Sequence, residues 1–225
     1  MSDPLVSYRL NGILPLDDFE EMAASTNLLL VGEDIEALRA LGVHIVSVGV
    51  VDDEGILIVS MEDAIEGMVD RYSELSGDAD CTSLSLINCS GESTVTRDLG
   101  DDQLWMVDSP GSLTDLGISF IEYEDQRAVE FDGVRVLFDS ITTLLAHLEE
   151  ERAFEFVDAF LGRIATSQML GVWLLDASAN EESTVRTFME LFDEVVEVQR
   201  VGEHLEVRRY DVSTPDASWT TVGSD

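Results

Sequence analysis

Residues Gly133 to Glu149 read GVRVLFDSITTLLAHLE. The stretch opens with Val134-Arg135-Val136-Leu137-Phe138, a mostly apolar run suited to a buried strand. Asp139 and Ser140 end that strand, and a helix-like segment follows at once. An acid delivered at the carboxyl end of a strand can hold a divalent ion if a phosphate-binding loop stands beside it. The reading of the whole chain therefore turns on whether such a loop is present.

With 225 residues, the chain is long enough for one large domain with a sizeable core. A hydrophobic content of 45% places it among globular proteins despite its charge. The charge balance is extreme: 47 acids face 12 basic residues, a net charge of −35, and all 12 are Arg. The acids are spread along the chain, in groups such as Asp17-Asp18-Phe19-Glu20-Glu21 and Glu149-Glu150-Glu151, and are not gathered in one tail. At molar salt the Debye length is about 3 Å, so self-repulsion is largely screened. The composition therefore suggests a salt-loaded cytoplasm, such as that of a halophilic archaeon. No basic stripe exists to neutralise phosphates, which argues against direct nucleic-acid binding. Charge alone leaves open an acidic, transcription-related regulator or a DNA mimic. Cys81 and Cys89 do not form a disulfide framework, and no apolar run reaches the roughly 20 residues of a membrane helix. The segment from Met1 to Pro15 lacks a basic leader, so a cytoplasmic location is expected.

Along the chain, residues 1–26 read as an entry segment, with one or two helical turns over Leu16 to Met22. Asn27 to Gly32 reads as a buried strand stopped by glycine, and Glu33 to Leu41 as a helix. Val43 to Val51 is β-branched, and strand is preferred there over a continued helix because Gly42 and Gly49 would each weaken a helix. Ile56 to Ser60, Ser83 to Asn88 and Leu104 to Val107 are further strands. Helices are expected over Glu62 to Leu75 and Leu113 to Val129, the latter with Ser112 as a candidate N-cap. After the opening stretch come a helix over Phe154 to Met169, a strand over Gly171 to Asp176 and a helix over Glu181 to Phe192. Val195 to Val201 and His204 to Tyr210 form a closing antiparallel hairpin, and residues 213–225 read as a loose tail. Alternating strands and helices predict an α/β fold with a mostly parallel sheet.

The order of these pieces resembles the RecA-like ATPases of the KaiC group, in particular their haloarchaeal KaiC-like members. The resemblance covers about residues 10–212, with 27–212 as the domain proper. It rests on Thr26 to Gly32, the strand before the phosphate loop. It also rests on Gly55 to Asp63, a strand ending in two adjacent acids, here Glu62 and Asp63. Val136 to Leu145 is similar to a Walker B strand with its following Ser, and Leu191 to Val198 precedes the hairpin. The resemblance implies a RecA-like P-loop NTPase fold. It further implies that an acid pair at Glu62 and Asp63 would activate water and that Asp139 would hold magnesium.

The phosphate loop departs from this pattern. G-x-x-x-x-G-K-[S/T] works because its glycines let backbone N–H groups wrap the phosphates while the Lys meets their charge. Counted from Gly32, the second glycine position holds Ala37, the lysine position Leu38 and the Ser/Thr position Arg39. Glu33, Asp34 and Glu36 bring three carboxylates to a place meant for phosphate. The chain has no Lys to compensate, and Arg39 among these acids is a weak cradle. The acids then have a local reading. Glu62 and Asp63 are first-turn acids of the following helix, and Asp139 caps the helix that begins near Ser140. A divalent-cation site at Asp139 and Glu62 stays open beside it. His44, His147 and His204 are scattered without metal-ligand spacing, and the cysteines read as ordinary core or near-surface thiols. The aromatic set of Trp105, Trp173, Phe154, Phe156 and Phe160 reads as core filling, with an interface stripe as the alternative.

The expectation is a non-catalytic RecA/KaiC-like regulatory or scaffolding module, with no cofactor. Its partner would be another protein, an active KaiC-like relative or a second copy of itself. The alternative is a degenerate nucleotide binder or weak ATPase using Asp139 and Glu62.

Overall fold

The apolar runs pair into one sheet because side chains on both faces of each strand demand cover from helices. The computed structural model describes residues 7–62, 65–78, 80–91, 99–100, 102–211 and 218–223. In chain order the elements are β1 (Ser7–Arg9), β2 (Glu21–Ala23), β3 (Asn27–Gly32), α1 (Ile35–Ser47), β4 (Gly55–Ser60), α2 (Ile65–Ser76), β5 (Leu84–Asn88) and β6 (Leu104–Met106). They continue with α3 (Leu113–Gln126), β7 (Val134–Asp139), α4 (Ile141–His147), α5 (Glu150–Thr166), β8 (Leu170–Asp176), α6 (Glu182–Met189), β9 (Glu194–Val201), β10 (His204–Arg209) and β11 (Thr220–Thr221).

β1 and β2 form a small antiparallel ribbon, and the other nine strands form one sheet in the order β11-β10-β9-β3-β8-β7-β4-β5-β6. From β9 to β6 every pairing is parallel, while β9, β10 and β11 are antiparallel neighbours. This is the mostly parallel α/β sheet with a closing antiparallel hairpin that the sequence predicts. Side-chain alternation divides the core between the two faces. Leu28, Leu30, Ile56, Ile58 and Leu137 pack with Leu38, Leu41 and Ile45 of α1. Leu29, Val31, Val59, Phe138 and Trp173 pack on the opposite face with residues of α3, α5 and α6. Trp173 stacks on Phe138 at 4.4 Å between ring centroids and meets Phe160 edge-on; Trp105, Trp173 and Phe160 are buried in the core, while Phe154 and Phe156 are half-buried at its margin.

Several local expectations need correction. Val43 to Val51 is not a strand: α1 runs through Ser47, and Val48–Asp52 forms a 3-10 turn. Burial overrides β propensity here, because Val43, Ile45 and Val46 are all wholly buried within α1. Gly42 is a packing glycine, since a Cβ there would stand 2.8 Å from the Leu137 side chain. Leu16 to Met22 is not helical, and Glu21–Ala23 pairs as a strand with Ser7–Arg9. Part of the tail expected to be loose is ordered: Thr220–Thr221 pairs with β10 as an edge strand. Ser112 occupies the N-cap position of α3, but its hydroxyl contacts the Ser109 hydroxyl and caps no amide. Among the described residues, no helix is long and apolar enough to cross a membrane.

Candidate functional site

β4 and β7 are parallel neighbours with Ser60 opposite Asp139, so their carboxyl ends present Glu62 and Asp139 side by side. The Met61 N–H donates to the Asp139 carbonyl at 2.7 Å and fixes that register. The Asp139–Ser140 peptide is cis. Across from these ends, the second turn of α1 delivers Arg39, whose side chain is only 9% exposed.

The guanidinium joins the acids. Arg39 Nε donates to both Asp139 oxygens at 3.1 and 3.0 Å, Nη2 to Glu62 at 2.7 Å, and Nη1 to Glu36 at 2.9 Å. Thr143 Oγ1 donates to the other Glu62 oxygen at 2.5 Å. The Asp139 side chain is wholly buried, while Glu62 and Glu36 are 46% and 73% exposed. Burial penalises the charged guanidinium, but three carboxylates outweigh that penalty and its pKa is raised. Burial pushes the Asp139 carboxyl up to about 6, against the pull of Arg39 and helped by repulsion from Glu62 and Glu36. Burial also works against charged Glu62, yet hydrogen bonds from Thr143 and Arg39 prevail and its pKa is lowered.

The sequence-predicted positions divide accordingly. Asp139 and Glu62 do converge, as a cation site requires, but the cation between them is the chain's own guanidinium. The local reading of both acids is corrected. Ser140, not Asp139, caps α4 by accepting from the Thr143 N–H at 3.3 Å, and Glu62 turns toward Arg39 and Thr143. Asp63 lies outside the described residues. Ala37 and Leu38 are buried, Leu38 in the apolar layer beneath α1. Arg39 was legible as a nearby cation. Its partners were not: of the acids next to it in sequence only Glu36 touches it, and the other two arrive from β4 and β7.

The strand-to-helix turn is equally committed. Only Glu33 and Asp34 separate the end of β3 from the first residue of α1. Asp34 caps the helix, its carboxylate accepting from the Ala37 N–H at 3.0 Å and pairing with Arg200 of β9 at 2.6 Å. The Arg200 hydrogen bond and that amide hold the Asp34 carboxyl below its ordinary range. The positive end of α1, where a phosphate would be bound, is thus already opposed by an acid of the chain. Gly32 serves a different contact, since a Cβ there would lie 2.3 Å from the Val198 carbonyl of β9. Beside it a cleft of about 570 Å³ opens at the carboxyl ends of β3 and β9, with Val31, Val185, Met189 and Val198 in its floor and Trp219 in its wall.

The sheet, its helices and this site define a KaiC-like RecA fold. The structure is similar to the crystal structure of a KaiC-like protein from the hyperthermophilic archaeon Pyrococcus horikoshii, with a TM-score of 0.62 over 97% of this chain and 94% of that one. The two sequences are 15% identical, so the likeness shows the fold. By sequence the chain belongs to DUF7504, a family of unknown function whose model matches residues 25–198. No curated protein matches it.

Proposed function

We propose that this protein is a non-catalytic KaiC-like module that acts by binding other proteins in a salt-loaded cytoplasm. One observation carries the reading: the Arg39 guanidinium fills the point where Asp139 and Glu62 converge and uses both carboxylates as its own ligands. A nucleotide-bound magnesium ion would have to displace a cation held by three carboxylates. Its phosphates would then meet Asp34 at the start of α1 and Glu33 beside it, with no Lys anywhere in the chain. Such a site has kept the acids of an NTPase-like fold as structural ligands for arginine. The alternative, a weak nucleotide-binding protein using Asp139 and Glu62, requires Arg39 to swing away.

The net charge of −35 fits a partner met at high salt, where repulsion between acidic surfaces is screened within about 3 Å. Sedimentation velocity at molar KCl tests this part. Assembly into a defined homo-oligomer, or a stoichiometric complex with a purified KaiC-like relative, is the expected result. A strict monomer that associates with neither contradicts the proposal.

A further inference from the structure

We propose that the C-terminal segment Trp219–Val222 is a detachable strap that closes the cleft at the carboxyl ends of β3 and β9. The cleft has an apolar floor in which Val31, Val185, Met189 and Val198 are nearly inaccessible, and one wall is the Trp219 ring. Trp219 is placed there by Arg208 of β10, whose guanidinium lies 4.5 Å from the centroid of the indole. Arg208 is itself tied to Glu197 of β9 at 2.5 Å, and Glu197 also lines the cleft. The strap and the cleft are therefore joined by one chain of contacts from β9 through β10 to the indole.

The attachment is slight beside that of every other strand in the sheet. β11 pairs only two residues, Thr220 with Val207 and Thr221 with Glu206, and the Val222 N–H adds one bond to the Leu205 carbonyl at 2.8 Å. Trp219, Thr220 and Val222 are half-buried and Thr221 is exposed, and only Val222 packs against the core cluster, at its margin beside Leu205. By contrast, all six residues of β7 are buried. An edge strand held this way opens without unfolding the sheet, because its release breaks few contacts and uncovers little apolar surface. Opening removes one wall of the cleft and frees the outer edge of β10 in the same step.

Hydrogen exchange on the full chain at molar KCl tests the strap without any partner, so its outcome is independent of the binding role proposed above. The Val222 amide is expected to exchange at least about 100-fold faster than the central amides of β7, with no change in overall stability. Exchange of Val222 within about threefold of the β7 amides overturns the proposal. Nile red supplies a second readout of the apolar floor. Its fluorescence is expected to rise several-fold in Trp219→Ala and to fall below wild type when Glu206→Cys and Thr221→Cys are joined by a disulfide. An unchanged signal in Trp219→Ala at wild-type stability also overturns it.

Discussion

Replacing Arg39 by Met is expected to destabilise the protein by about 3 kcal/mol at pH 8, lowering the thermal midpoint by roughly 6–12 °C. The cost comes from what is left behind. Asp139 has no exposed side-chain surface, and Arg39 is the only cation that reaches it among the described residues. Glu62 and Glu36 are partly solvated and lose little when their partner goes. The effect should depend on pH in a set direction. In the wild type the Asp139 carboxyl already takes up a proton near pH 6, well above its ordinary value of 3.8. Without Arg39 its folded-state pKa rises further, because a lowering influence is gone while burial remains. The penalty is therefore largest above the variant's pKa and shrinks as pH falls. Below about 6 the Asp139 carboxyl is protonated in both proteins, and what remains is the loss of the guanidinium's hydrogen bonds to a neutral acid and to the partly solvated Glu62 and Glu36. Thermal unfolding of both proteins from pH 5 to 8 checks this. A difference that is constant with pH, or that grows toward acid, would show that the Arg39–Asp139 pair does not govern the site.

Arg135→Met should cost about 3–5 kcal/mol, for a related reason at the opposite end of β7. Arg135 is wholly buried within a strand, and its Nε donates to Glu54, the residue just before β4. Its two terminal nitrogens donate to the carbonyls of Ile45 and Arg9, each at 2.8 Å. Its guanidinium also lies 5.6 Å from the centroid of the Tyr8 ring. One side chain thus ties the C-terminal half of α1, the entry to β4 and the N-terminal ribbon to the central strand. Met leaves Glu54 buried without its cation and removes a donor from each of two carbonyls. Burial already raises the Glu54 pKa in the presence of Arg135, and removing the guanidinium takes away the hydrogen bond and charge that oppose burial, so the lone carboxyl is pushed further up. Adding Glu54→Gln to the variant should recover a share of the loss, because removing both charges costs less than stranding one. Denaturant unfolding of the two variants decides this. Equal stability of the single and double variants would mean that the pair is not coupled.

These two arginines also show how much the sequence discloses. The fold was legible because its signal is periodic and redundant: short apolar runs alternate with helices, and Asp139 and Glu62 each stand where a parallel strand ends. At Val43 to Val51 β-branching favours a strand, but Val43, Ile45 and Val46 are wholly buried within α1, where packing outweighs that propensity. The departure from the phosphate-loop pattern is visible in the sequence at Leu38 and Arg39. What took its place was not, because the ligands of Arg39 come from residues 23 and 100 positions away. Arg135 carried a signal that could have been read, a lone cation within an otherwise apolar strand, which demands a buried partner. The identity of that partner, Glu54, followed only from the β4–β7 pairing. In the sequence Asp34 reads as one more acid where phosphate would sit, and the structure gives it a defined contact as the cap of α1.

The central claim is that Arg39 closes this site to nucleotide. Titration calorimetry with ATP and magnesium at molar KCl tests it most directly. The account predicts no saturable heat at micromolar protein, and none on replacing Asp139 by Ala. Micromolar binding by the wild type that disappears in Asp139→Ala would contradict it, by showing that Asp139 leaves its arginine to serve a bound nucleotide.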